Sequence, residues 1–271
     1  MITFLFWNLK RKNRLTILGR LVKKHGIDMI MLAESSLGIT DVLLELNSGD
    51  DSSSFHYNPG NCERIAIYSK FAKAHVSPIH EDHTITIRHL KPLGTRDMLV
   101  AVAHLPSKLH QSIASQSFAI TEIAKDISRM EEKIGHKRTL LVGDLNMNPF
   151  EYGIVAASGL HATMDRRIAM KGKRIIGGKS FPFFYNPMWN LFGDASPGPP
   201  GTYYRRESEQ VAYFWHMFDQ VLLRPELLPM FQNGNLSIID SDGETSFLTK
   251  NGIPDEKVAS DHLPILFRLN C

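Results

Sequence analysis

The stretch Arg138–Phe150, "RTLLVGDLNMNPF", constrains the fold more than any other part of the chain. Leu140, Leu141, Val142 and Gly143 run straight into Asp144, the pattern of a buried strand. Asn146, Asn148 and Pro149 follow, and the proline keeps this turn from continuing as helix. Similar apolar runs stop on polar residues elsewhere. "ITFLFWN" ends at Asn8, "DMIMLAE" at Glu34 and "LVAVAH" at His104. "FDQVLL" carries Asp219 near its start, and "SDHLPILFRL" puts Asp261 and His262 just before the last strand.

Between the first two runs, "RLTILGRLVKKHG" has helical apolar spacing at Leu15, Leu18, Leu21 and Val22, with Gly26 as its stop. Strand, helix and strand in succession suggest an α/β layer. "ERIAIYSK", "HTITIRHL" and "RDMLVAVAHL" are separated by short polar or Pro/Gly segments, so antiparallel pairing among them is expected. From Ser107 to Ile134 a stripe of Leu109, Ile113, Ile120, Ile123, Ile127, Met130 and Ile134 predicts a helix ending at Gly135. Gly and Pro punctuate the region from Ser158 to Gly201, which reads as long loops with aromatics packed beneath. Nothing resembles an interdomain linker, so one domain over residues 1–271 is expected.

Bulk properties narrow the function classes. With 43% apolar and 22% charged residues, the 271-residue chain is that of an ordinary globular protein. A net charge of +3 permits a polyanionic partner. Two cysteines, Cys62 and Cys271, form neither a disulfide framework nor a CxxC metal knuckle, which points to a cytoplasmic location. The basic charges of "MITFLFWNLKRKNR" follow its apolar run, the reverse of a signal peptide. No apolar run approaches the roughly 20 residues of a membrane span, so no membrane anchor is expected.

An Asn or Asp after a strand is, taken singly, usually a turn or cap residue. The set has a different meaning, because rigid strand ends are where ligand and catalytic groups collect. Glu34, Asp144 and Asp261 would bring several negative charges into one cleft, where unpaired carboxylates repel. A divalent cation resolves that conflict, and oxygen donors without thiols suit Mg²⁺, with Mn²⁺ able to substitute. His104, His262 and Asp219 add groups able to move or orient protons.

The pieces "WNL", "LAES", "AHLPS", "GDLNMNP", "FDQVLL" and "SDHLPI" together resemble the endonuclease/exonuclease/phosphatase superfamily. That family includes deoxyribonucleases, apurinic/apyrimidinic endonucleases, neutral sphingomyelinases, inositol polyphosphate 5-phosphatases and deadenylases. The resemblance implies an α/β (α+β) four-layer sandwich, two mixed β-sheets packed face to face and flanked by helices, with the site at one edge. It implies cleavage of a phosphate ester by attack of water at phosphorus. On it, Glu34 is the principal metal ligand, Asn8 lies beside it in the metal and phosphate shell, and Asp261 is a second or water-mediated ligand. Asp144 orients or deprotonates the water, Asn146 holds the phosphate, His262 contacts a phosphoryl oxygen, and Asp219 orients His262. His104 serves as proton donor or phosphate contact; the apurinic/apyrimidinic branch prefers Tyr there, and this chain departs from it.

Substrate choice lies in the loops. Basic residues including Arg11 and Arg174 flank the expected site, and Tyr203 and Arg205 belong to an aromatic–basic run. Such residues could neutralise a nucleic-acid backbone and stack on bases, or form a solvated basic loop over a small aromatic core. Asn148 reads either as a substrate contact or as the turn residue before Pro149. A nuclease, with DNA favoured over RNA, is the first expectation. A phosphatase or phosphodiesterase on a small ester or lipid head group is the second, and a non-catalytic binding module the third. No protein partner is readable.

Overall fold

A computed structural model describes residues 1–49, 54–107 and 112–271. The apolar runs become strands of two mixed sheets. The first contains β1 (Ile2–Asn8), β2 (Met29–Ala33), β3 (His56–Asn58), β4 (Ile65–Ser69), β16 (Leu236–Ile238) and β17 (Ile265–Leu269), in the order β16-β17-β1-β2-β4-β3. The second contains β5 (Val76–Glu81), β6 (Ile85–Leu90), β7 (Met98–His104), β8 (Thr139–Asp144), β9 (Ala162–Thr163), β12 (Phe184–Tyr185) and β15 (Asp219–Leu223). Its order is β5-β6-β7-β8-β15-β12-β9. A hairpin of β10 (Lys173–Ile176) and β11 (Lys179–Pro182), and a pair of β13 (Tyr203–Tyr204) and β14 (Trp215–His216), stand outside the two sheets.

Strand periodicity divides each run between two cores. Phe4, Phe6, Met29, Met31, Val100, Val102, Leu140 and Val142 meet between the sheets. Leu5, Trp7, Ile30 and Leu32 point the other way, onto α1 (Leu15–His25) and α2 (Ile39–Leu46). Leu99, Ala101, Ala103 and Leu141 pack on α3 (Ile113–Ile134) through Ile120, Ile123, Ile127 and Met130. The result is helix, sheet, sheet, helix. Strands buried on both faces must be apolar throughout, which is why the runs do not alternate. Both long helices end on left-handed glycines, Gly26 at φ 60° and Gly135 at φ 85°.

Three expectations change. "ERIAIYSK" forms β4 and pairs antiparallel with β2 and β3 in the first sheet, not with β6. Only β6 and β7 pair as expected, because each sheet needs its own edge and the chain crosses over after β4. Residues 158–201 are more ordered than long loops: they supply β9, β12, α5 (Arg166–Ala169) and the β10–β11 hairpin, and follow α4 (Tyr152–Val155). Strands of two residues lie below what periodicity can detect. Helix α3 starts at Ile113, not at Ser107, and Leu109 lies outside the described residues. Among the described residues no helix is long and apolar enough to cross a membrane.

Register brings the polar strand ends to one edge. Asn8 lies opposite Ala33, so Glu34 is the next residue out. His104 and Asp219 both lie opposite Asp144, on either side of it. Asp261 and His262 lead into β17, and Tyr203 bridges His262. Gly143 has a packing reason: a Cβ there would sit 1.9 Å from the Ala103 carbonyl oxygen.

Candidate active site

Asp144 is the hub. Its Oδ2 accepts from Asn8 Nδ2 at 3.0 Å and lies 3.8 Å from His104 Nε2 and 3.9 Å from His262 Nε2. Its Oδ1 accepts the Asn146 backbone N–H at 2.9 Å. Glu34 Oε1 stands on the other side of Asn8, 3.4 Å from the same Nδ2 and 3.5 Å from His104 Nε2. Glu34 and Asn146 hold left-handed backbone angles, φ 46° and 49°. Such conformations cost non-glycine residues energy and collect at functional sites.

Behind this group, His262 Nδ1 meets Asp219 Oδ2 at 2.8 Å. Asp219 is fully buried, and its N–H donates to Thr202 Oγ1. Trp7 Nε1 donates to the His262 carbonyl, and Ser260 Oγ to the Asn8 carbonyl, tying the two strand ends together. Burial alone would lower the His262 pKa, but the Asp219 and Asp144 carboxylates outweigh it and raise it to about 10. Burial pushes the Asp219 carboxyl up, against the pull of His262. At neutral pH the pair is therefore imidazolium and carboxylate, with Nε2–H of His262 directed toward Asp144. His104 differs: burial lowers its pKa despite Asp144 and Glu34, so it stands as a neutral imidazole.

Asn8, Glu34, His104, Asp144, Asn146, Asp261 and His262, with Arg11, Tyr203 and Arg205, line one open cleft of about 900 Å³. Asp219 supports it from behind. Asn8 is oriented with Oδ1 accepting from Lys10 N at 3.0 Å, so it turns its amide nitrogen to the carboxylates and presents a donor rather than a ligand oxygen. Asp261 Oδ2 pairs with Lys10 Nζ at 2.7 Å. Tyr203 lies over the His262 ring at 4.7 Å between centroids, and burial, then Asp261, raise its pKa.

Two expected substrate contacts do not join them. Asn148 is fully buried, its amide between His216 Nδ1 and the Met217 N–H, so it is the turn residue and not a contact. Arg174 sits on the β10–β11 hairpin, which leaves the second sheet beside Arg224, at the far end of β15 from Asp219; its charge bears on His161 instead.

Lys10, from the basic stretch that follows Asn8, also lines the cleft, and residues with no sequence signal of their own complete it: Glu63, Arg64, Glu207, His216 and Phe218. His216 stacks on Phe218 at 4.6 Å and Phe218 on Tyr203 at 5.3 Å, a continuous aromatic wall. Their position three and one residues before Asp219 is the one cue that would have found them.

Comparisons with known proteins bear on the family and the fold. Residues 5–242 match the model of the Endonuclease/Exonuclease/phosphatase family. No curated protein matches the chain by sequence. Among solved structures, the fold is similar to the 3′ phosphatase NExo from Neisseria bound to product DNA hairpin (12% identity, 100% of each chain, TM-score 0.58). It is also similar to an AP endonuclease from Archaeoglobus fulgidus (12%, 100% of each chain, TM-score 0.58). A third is D. rerio TDP2 complexed with single strand DNA product (16%, 100% of this chain and 99% of that one, TM-score 0.56).

Proposed function

The chain belongs to the endonuclease/exonuclease/phosphatase family, and from that premise we propose that it is a Mg²⁺-dependent phosphodiesterase acting on nucleic acid, DNA before RNA, with Mn²⁺ able to replace Mg²⁺. The observation that carries the reading is the convergence of Asp144, Glu34 and the Asp219–His262 pair in one cleft that also presents Arg11, Arg64 and Arg205.

The donor set fits one hard cation. Glu34 and Asp144 converge on the Asn8 amide, and among the described residues neither has a Lys or Arg ion pair. The one cationic neighbour, the His262 imidazolium, is already matched by Asp219 and His104 is neutral, so the two carboxylates leave a local negative excess. Glu34 would hold Mg²⁺, with Asp144 beside it. When bound, the ion would neutralise phosphate charge and polarise the P–O bonds.

The chain's own residues supply the rest. Asp144, with Oδ1 fixed by the Asn146 N–H, is the base that orients and deprotonates the attacking water. The His262 imidazolium donates Nε2–H to a phosphoryl oxygen as charge builds there, and Asp219 holds the ring in that tautomer. Asn8 and Asn146 add amide donors at the cleft floor. His104, neutral and beside Glu34, can accept or relay a proton. The basic side chains meet the backbone phosphates, and the wall of Tyr203, Phe218 and His216 offers ring faces to a base.

Incubating plasmid and labelled oligonucleotides with Mg²⁺ or Mn²⁺ tests the proposal, with phosphate release followed in parallel. Nicking or shortening that EDTA stops is expected, with Asp144→Asn slower by about 10³-fold or more at unchanged Tm. Intact nucleic acid after long incubation under both metals would overturn it, and release of phosphate alone would move the assignment to a phosphatase.

A further inference from the structure

Lys10 follows Asn8 by two residues, and its ammonium reaches two carboxylates. Nζ lies 2.7 Å from Asp261 Oδ2 and 3.1 Å from Glu256 Oε2, and Lys12 Nζ holds the other Glu256 oxygen at 3.1 Å. The Asp261 side chain is 18% exposed against 45% for Glu256, so the network is rooted inside the cleft. The backbone is specific too. Lys10 and Arg11 both adopt left-handed angles, φ 46° and 56°. The Lys10 N–H caps Asn8 Oδ1, and the Arg11 N–H donates to the Glu34 carbonyl at 2.8 Å. Two consecutive non-glycine residues in this region carry a conformational cost, and here it turns the chain so that the lysine lies along the cleft wall.

Cleft charges then sort into pairs. Asp219 is matched by the His262 imidazolium and Asp261 by Lys10, while Glu34 and Asp144 have no Lys or Arg partner among the described residues. A divalent ion at Asp261 would have to displace the ammonium or sit against it, at strong like-charge cost. One at Glu34 meets no such obstacle.

Resting on the function proposed above, we infer that Lys10 is a built-in cation of this site: its ammonium takes the place beside Asp261 that a second divalent ion would otherwise fill, so the cleft binds a single divalent ion, at Glu34. Asp261 is thereby a partner of Lys10 and not a metal ligand. The ammonium of Lys10 is tethered to the chain, so its charge stands at Asp261 whatever the metal concentration.

Mn²⁺ titrations of the full chain, read by calorimetry and by the loss of free-Mn²⁺ paramagnetic signal, test this without reference to turnover. Wild type is expected to bind one Mn²⁺. Asp261→Asn should keep that stoichiometry with affinity within about threefold, Glu34→Gln should lose binding, and Lys10→Met should gain a second, weaker Mn²⁺. Two Mn²⁺ in wild type, or more than tenfold weaker binding in Asp261→Asn, overturns the inference even if Lys10→Met fails to fold. Two ions with metal-dependent hydrolysis intact would sink the inference and leave the function standing. One ion without hydrolysis of nucleic acid would do the reverse.

Discussion

Single residues of the cleft each have two constraints on them. His262 shows this best. Its Nδ1 is bound to a fully buried carboxylate and its Nε2 is directed into the cleft, so one ring edge is structural and the other free to act. Asp219→Asn keeps the size of the side chain and removes its charge. We expect kcat to fall by about 10²–10⁴-fold with KM changed much less, by analogy with orienting carboxylates of other histidine pairs. The His262 ring, followed by NMR, should then lose its proton far below the wild-type value of about 10. An unshifted titration would show that Asp219 does not set its charge. Asn8, Glu34, His104, Asp144 and His262 were legible in the sequence because each lies next to an apolar run. Asn148 stayed open between contact and turn residue, since a carboxamide before proline looks the same whether it faces solvent or a buried imidazole.

At the level of elements, the second sheet is clamped at the end away from the cleft. Asp97, just before β7, accepts from His89 Nε2 of β6 at 2.6 Å and from His136 Nε2, beyond α3, at 3.2 Å. Arg138 pairs with the same carboxylate and donates Nε–H to the Asp97 carbonyl. Partial burial would raise the Asp97 pKa, but the hydrogen bonds from His89, Arg138 and His136 hold it well below the usual carboxylate range. A depressed folded-state pKa contributes stability that is present above the unfolded value, about 4, and is lost as pH falls through the folded one. Asp97→Asn should therefore lower Tm by a few degrees at pH 7, on the order of 1 kcal/mol for a partly exposed group. The gap to wild type should close as melting is repeated below pH 4; a constant gap would mean that the carboxylate charge is not what stabilises. Nothing along the sequence joins residues 89, 97, 136 and 138, because the clamp exists only once β6, β7 and β8 lie side by side.

For the whole molecule, a net charge of +3 is modest, and what matters is where the positive charge is presented. Arg11, Arg64 and Arg205 line the cleft, whereas Arg174 lies on a distant hairpin. If Arg11 and Arg205 meet backbone phosphates, Arg11→Ala and Arg205→Ala should each weaken binding to an uncleaved oligonucleotide analogue and reduce the slope of log K against log salt by about 1. Arg174→Ala should change neither, and an equal effect at all three would mean diffuse attraction instead of a bound path. By itself the sequence determined the strand-forming runs, the two long helices with their glycine stops, and the polar residues that close each run, since these depend on local periodicity and neighbours in the chain. Only the tertiary structure decided that β4 leaves its neighbours for the first sheet, that His216 and Phe218 wall the cleft, and that Lys10 spends its charge on Asp261. The physical reason is that strand pairing and charge pairing join residues more than 200 positions apart, as in Lys10 with Asp261 and Trp7 with His262, and no local pattern records such a choice.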